Sequence, residues 1–134
     1  MSTKPIALGL GCDRNTPLTT IAQAIDEALA LCHATMSDIQ AVASIDLKAD
    51  EPAMQQLAQQ QNWTIHFYSA QELAKVDVPN PSETVRKHTG TPSVSEAAAL
   101  LAANTGKQNL IIEKHRLRGP DGRNATVSIA RIPE

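Results

Sequence analysis

Ser93-Val-Ser-Glu-Ala-Ala-Ala-Leu-Leu101 joins a turn to an alanine-rich helix, and its composition determines how that helix packs. Alanine favours the helix more than any other residue and adds almost no bulk. Ser95 is a suitable N-cap, because its side-chain oxygen can accept a hydrogen bond from the first turn. We therefore expect Ala97, Ala98 and Ala102 to bring the helix close to a sheet, so that the run serves packing and not ligand contact.

Outside this helix, strand-like and helix-like patterns alternate along the chain. The predicted strands cover residues 6–10, 41–45, 63–68, 109–114 and 125–132. The predicted helices cover residues 17–33, a segment capped by Asp50, a short segment after Ser69, residues 81–88 and the alanine-rich run. The capping box Ser69-Ala-Gln-Glu72 opens the short segment. Gly106 can end the alanine-rich helix by adopting the left-handed conformation. This alternation predicts a single α/β domain over residues 1–134 with three layers, α/β/α. The sheet is expected to be mixed, mostly parallel and five-stranded, ending in a β-hairpin at the turn Gly119-Pro-Asp-Gly122.

Composition excludes several classes of protein. A net charge of −2 and a pI of about 6.1 argue against nucleic-acid binding, as does the small number of aromatic side chains. The start of the chain resembles no signal peptide and no run is long enough to span a membrane, so we expect a cytoplasmic protein without a membrane partner. Cys12, Cys32 and the four histidines lack metal-ligand spacing, so we expect neither a metal site nor a resident cofactor.

The ends of the predicted strands indicate where a ligand would bind. In open parallel sheets, ligands bind at the carboxyl ends of the strands, where loops lead into helix N-termini. Four segments meet this description: 11–16, 46–51, 69–72 and 114–116. The turn before Glu96 can join them, because it also opens a helix.

A glycine pair, Gly9-Leu-Gly11, ends the first predicted strand and leads into the loop before the first helix. A dinucleotide fingerprint needs a third glycine where Arg14 stands, which disfavours that interpretation. The loop still offers backbone N–H groups to carboxylates, and Arg14 can reinforce them. Lys48 and Lys114 can add cationic contacts, the alternative being that they are solvated surface charges.

Carboxylates and one thiol complete the candidate site. Asp46, at the end of the second strand, and Glu96, in the first turn of its helix, are candidate general bases. Glu51, next to the cap of its helix, is better explained by the helix dipole than by catalysis. Cys12 precedes a helix N-terminus, where a thiol can become nucleophilic, but a buried, inert thiol is the favoured interpretation.

Taken in order, five segments carry a resemblance to a known family: Gly9-Leu-Gly-Cys12, Ser44-Ile-Asp-Leu-Lys-Ala-Asp-Glu51, Pro81-Ser-Glu-Thr-Val85, Thr89-Gly-Thr-Pro92 and the opening stretch Ser93 to Leu101. From about Ile6 to Ile132, the chain resembles the C-terminal domain of the cobalamin-biosynthesis protein CbiG and the free-standing CobE protein. The first loop departs from the family pattern, because Asp13, Arg14 and Asn15 replace the usual basic pair and glycine. The resemblance implies that the conserved family positions fall on Gly9, Gly11, Cys12, Asp46, Lys48, Glu51, Ser82, Glu83, Glu96 and Lys114.

The resemblance implies two functions of different classes. The first is an accessory or carrier protein that binds a corrin-ring (precorrin) intermediate and works beside other cobalamin-pathway enzymes. The alternative is a hydrolase that opens the δ-lactone of (cobalt-)precorrin-5A with release of acetaldehyde, with Asp46 or Glu96 activating water. The larger CbiG proteins carry an additional N-terminal region that is absent from this sequence, which favours the first function.

Overall fold

A five-stranded mixed sheet forms the centre of the molecule, in the order β3-β2-β1-β5-β4. The computed structural model describes residues 5–79 and 93–133. The strands are β1 (Ile6–Cys12), β2 (Ile39–Ile45), β3 (Ile65–Tyr68), β4 (Leu110–Arg118) and β5 (Asn124–Arg131). The pairs β1–β2 and β2–β3 are parallel, and β5 is antiparallel to both of its neighbours. Every strand except β5 therefore runs in one direction, which confirms the predicted mostly parallel sheet and its closing hairpin.

Helices cover both faces of the sheet. They are α1 (Leu18–Leu31), α2 (Pro52–Gln61), α3 (Ala70–Ala74) and α4 (Val94–Ala103), with short 3-10 turns at Met36–Asp38, Asp46–Lys48 and Lys107–Asn109. On one face, α1 and α2 pack their apolar residues against Leu8, Leu10 and Val127. On the other, the alanines of α4 pack against Ala7 and Ala43. The three-layer prediction is confirmed, whereas the predicted helix at 81–88 lies outside the described residues.

The helix ends differ from the sequence prediction by one or two residues. Ser93, not Ser95, occupies the N-cap of α4, and Asn104, not a glycine, adopts the left-handed conformation at its end with φ of 54°. Asp50 is not the cap of α2, because Glu51 takes that position immediately before Pro52. Proline favours the first helical position, which fixes the start of α2. The capping box that opens α3 at Ser69 is confirmed.

Gly9 sets the distance between α4 and the sheet. It lies in the middle of β1, and a Cβ atom there would lie 2.6 Å from the backbone nitrogen of Ala99 and would clash with the carbonyl oxygen of Ser95. Ala97 and Ala98 are fully buried at the same contact. The close approach expected of the alanine-rich helix is thus present, and it depends on a glycine in the strand as well as on alanines in the helix.

Candidate functional site

A cleft of about 360 Å³ opens at the carboxyl ends of β1 and β2. The N-terminus of α4 forms one wall of the cleft, and β4 and β5 contribute side chains from the other half of the sheet. Of the predicted site residues that the structure describes, five line it: Gly11, Cys12, Arg14, Lys48 and Lys114. Other lining residues are Ser93, Val94, Ser95, Arg116, Asn124 and Thr126. The structure therefore brings together the first loop, the second loop and the start of α4, as expected from the strand ends.

Arg14 holds the first two loops against each other. Its guanidinium lies 3.0 Å from the Asp50 carboxylate and 2.9 Å from that of Glu51, and donates to the carbonyl oxygen of Leu47 at 3.2 Å. The side chain of Glu51 is only 1% exposed and also accepts a hydrogen bond from the backbone N–H of Asn15 at 3.1 Å. The hydrogen bond from Arg14 lowers the pKa of Asp50. Arg14 and Glu51 therefore shape the wall of the cleft by binding protein groups.

Two cationic side chains that line the cleft have no hydrogen-bond or ion-pair partner in the described part of the chain. Within residues 5–79 and 93–133, neither Lys48 nor Arg116 forms a hydrogen bond or an ion pair. Lys114, by contrast, places its Nζ 3.9 Å from Oε1 of the fully buried Glu96. The positive charges of Lys48 and Arg116 are thus available to an anionic ligand.

Cys12 presents a protonated thiol to the cleft. Burial raises its pKa from 9.0 to about 11, because the low-dielectric surroundings disfavour the thiolate, and nearby Lys48 offsets only part of this effect. The thiolate, not the thiol, is the nucleophile. At neutral pH, Cys12 is therefore a neutral lining group.

Among the described residues, four predicted site residues do not line the cleft: Gly9, Asp46, Glu51 and Glu96. Asp46 is exposed in the short turn after β2, Glu96 is buried beneath the first turn of α4, and Gly9 is covered by that helix. Ser82 and Glu83 lie outside the described residues. The two carboxylates considered as general bases are therefore not among the described groups that a ligand in the cleft would meet.

Ser93 is a cleft residue that the sequence interpretation missed. It is 1% exposed and lines the cleft, and its hydroxyl makes no hydrogen bond with any residue in the described part of the chain. The signal that could have found it is its position, a serine directly before an apolar helix at the binding edge of the sheet. Ser95 was the competing candidate, but its hydroxyl lies 2.9 Å from that of the buried Ser128.

The fold and the cleft together define an α/β protein with a cleft lined by basic side chains at the carboxyl edge of its sheet. Residues 6–130 match the family model described as the cobalamin synthesis G C-terminus, so the chain belongs to this family of cobalamin-biosynthesis proteins. The resemblance stated from the sequence is confirmed.

The chain is similar both to one part of a longer protein and to most of a CobE protein. The chain is 35% identical to a cobalt-precorrin-5A hydrolase of Priestia megaterium over 97% of its own length, but it spans only 33% of that protein. It is 38% identical to protein CobE of a Sinorhizobium species, covering 80% of this chain and 70% of that protein. The crystal structure of a CobE from the cobalamin pathway superimposes with a TM-score of 0.83 at 27% identity, covering 98% of this chain and 96% of the other. Among the described residues, no helix has the length and apolar character that a membrane span requires.

Proposed function

We propose that this protein binds an anionic corrin intermediate of cobalamin biosynthesis in the cleft beside α4, as an accessory or carrier protein. The observation that carries the proposal is the pair of uncommitted cations, Lys48 and Arg116, on a cleft that also receives the N-terminus of a helix. Corrin intermediates carry many acetate and propionate side chains, so their recognition requires repeated carboxylate binding. Lysine supplies a point charge and arginine a planar pair of donors for such groups.

The size of the cleft indicates how such a ligand would sit. A volume of about 360 Å³ is at the lower end of the range for small-molecule sites. A corrin macrocycle is broad and flat, so the cleft accommodates one edge of the ring and its side chains while the opposite edge stays accessible. Partial exposure suits a protein that receives an intermediate from one enzyme and passes it to the next. Ile45 and Val94 offer apolar contact in the same cleft.

The alternative function is hydrolysis of the precorrin-5A lactone, and the similarity to a protein named cobalt-precorrin-5A hydrolase favours considering it. That reaction adds water across the lactone C–O bond and needs a base that reaches the attacking water. Asp13 is a carboxylate that lines the cleft, and it already accepts hydrogen bonds from the backbone N–H of Asn124 at 2.7 Å and from its side-chain amide at 3.1 Å. With Asp46 and Glu96 outside the lining, binding is the better supported function.

The test is a titration with hydrogenobyrinic acid, followed by visible absorbance and calorimetry. Lys48→Ala and Arg116→Ala should each weaken binding by about 1.5 kcal/mol, roughly tenfold, because each removes a charge-assisted contact. The affinity of the wild type should also fall as salt is added, since the attraction is screened.

Arg131→Ala is the matched control. In the sheet, Arg116 of β4 lies opposite Thr126 of β5, beside the cleft. Arg131, at the other end of β5, is exposed and lies opposite Ile6, at the end of β1 that is far from the cleft. Its removal should leave the affinity unchanged. Absence of binding to the wild type, or equal losses in the control and the cleft variants, would overturn the proposed site. Release of acetaldehyde from a lactone-containing precorrin would favour the hydrolase instead.

A further inference from the structure

We infer that the N-terminus of α4 is a subsite for one carboxylate arm of the ligand, with the Ser93 hydroxyl as its buried donor. The inference rests on the proposed function and specifies the orientation of the ligand: one acetate or propionate group points inward at Ser93, and the ring lies farther out, towards Lys48 and Arg116.

The state of the Ser93 hydroxyl is the first observation. Buried side-chain hydroxyls are nearly always hydrogen-bonded, and an exception calls for a specific explanation. Ser93 is 1% exposed, its Oγ has no partner among the described residues, and it lines the cleft. It occupies the N-cap of α4 without making the usual side-chain bond to the first turn. The hydroxyl is therefore free to donate to a group that enters the cleft.

The helix itself is the second observation. α4 is ten residues long, and Val94 and Ser95 of its first turn line the same cleft. The first N–H groups of an α-helix have no acceptor within the helix, and they lie at its positive end. A carboxylate has two oxygens, so one can accept from Ser93 Oγ and the other from a first-turn N–H.

The charges around the N-terminus of α4 decide whether an anion can bind there. Glu96 belongs to the same turn and is fully buried, and a carboxyl group at that place disfavours a second carboxylate. Lys114 lines the cleft, and its Nζ lies 3.9 Å from Oε1 of Glu96, which offsets this effect. Lys48 adds a further cation to the lining. Asp13 also lines the cleft, but together with Arg116 the basic side chains outnumber it, so the local balance favours an added negative charge.

The test compares Ser93→Ala with Ser93→Thr, using hydrogenobyrinic acid and its fully methyl-esterified form as probes. Because Ser93 Oγ makes no capping bond, Ser93→Ala should unfold at the wild-type urea concentration. It should bind the free acid about tenfold more weakly, since a charge-assisted hydrogen bond is lost, and should bind the ester as the wild type does. Ser93→Thr keeps the hydroxyl and should keep the affinity.

A second readout is the amide proton resonance of Ser95. It should shift when the free acid is added to the wild type, and in Ser93→Ala the same shift should require about tenfold more acid. If the wild type binds the acid and Ser93→Ala binds it equally well, the subsite is overturned while the proposed function stands.

If the wild type does not bind the acid, the proposed function fails and the subsite is tested alone. Glutarate is then the probe: a Ser95 shift that is present in the wild type and weaker in Ser93→Ala at the same glutarate concentration supports a carboxylate site, and no shift overturns it. An equal response to inorganic phosphate shows a general anion site and overturns the carboxylate assignment.

Discussion

At the scale of single residues, Cys12 shows how burial determines chemistry. The thiol lies on the cleft beside Lys48, a setting that by itself would favour the thiolate, yet burial dominates and its pKa is raised to about 11. The folded protein therefore binds the thiol proton more tightly than the unfolded chain does. The resulting contribution to stability is fully present below pH 9 and is lost as the pH rises from 9 towards 11.

This shift predicts slow alkylation of Cys12. In a Cys32→Ser variant, where Cys12 is the remaining thiol, iodoacetamide should react at pH 8 about a hundredfold more slowly than with the same variant in urea, because a rise of two pKa units lowers the thiolate fraction by that factor. The rate is followed by mass spectrometry. A native-state rate equal to the rate in urea would contradict the raised pKa.

The cleft residues divide into those that sequence can identify and those that it cannot. Gly11, Cys12 and Lys48 were identifiable because each follows a predicted strand, and strand ends meet at one edge of a parallel sheet. The place of Glu96 in the first turn of α4 predicts a position on the cleft, but the structure buries that side chain completely. Chain order gives the edge on which a residue lies, whereas burial depends on the approach of α4, which only the packed structure shows.

At the scale of secondary-structure elements, the contact between α4 and β1 determines the geometry of the cleft wall. Gly9 lies beneath Ser95 and Ala99, so the start of α4 can come close to the sheet. Ser93 lies at the start of the same helix and is 1% exposed. A larger distance between α4 and β1 would widen the cleft at the N-terminus of α4. The packing of α4 on β1 and the geometry of the cleft are therefore coupled.

We predict that Gly9→Ala destabilises the protein by about 1–3 kcal/mol, since the added methyl group overlaps backbone atoms that cannot move independently. Ala98→Leu, on the helix side of the contact, should have a similar effect. Urea unfolding measures the change. Gly106→Ala is the matched control, because the atoms nearest to the new Cβ belong to the side chain of Gln108, which can rotate away. Unchanged unfolding of Gly9→Ala would rule out the close-packing role.

Sequence patterns predict which segments form helices and strands more reliably than they predict where each element ends or how the strands are ordered in the sheet. Periodicity and turn residues identified each described strand and helix, but two serines two residues apart, Ser93 and Ser95, are equally good caps. Asn104 took the left-handed position expected of Gly106, because asparagine also tolerates that conformation. The central place of β1, between β2 and the returning β5, follows from long-range packing that local patterns do not encode.

At the scale of the whole molecule, acid should weaken the fold through carboxylates that accept hydrogen bonds. Among the carboxylates in the described part of the chain, four have lowered pKa values for this reason: Glu27, Asp50, Glu72 and Asp121. A lowered pKa contributes stability that is fully present above the ordinary value, 3.8 for aspartate and 4.5 for glutamate, and that is lost as the pH falls through the folded-state value. Stability should therefore hold from neutral pH to about 5 and decline below it.

The ion pair between Arg14 and Asp50, which joins the first two loops, allows part of this acid dependence to be tested by mutation. Arg14→Gln removes the hydrogen bond that lowers the pKa of Asp50 and the ion pair with the buried Glu51, so the variant should be less stable than the wild type at pH 7. The difference should shrink as the pH falls below 3.8, because Asp50 becomes protonated in both proteins and its link to Arg14 is lost. Urea midpoints measured from pH 7 to pH 3 test this, with Arg131→Gln as an exposed control whose difference from the wild type stays constant. If the Arg14→Gln difference is equally large at pH 7 and pH 3, the ionic link between the first two loops does not stabilise the fold.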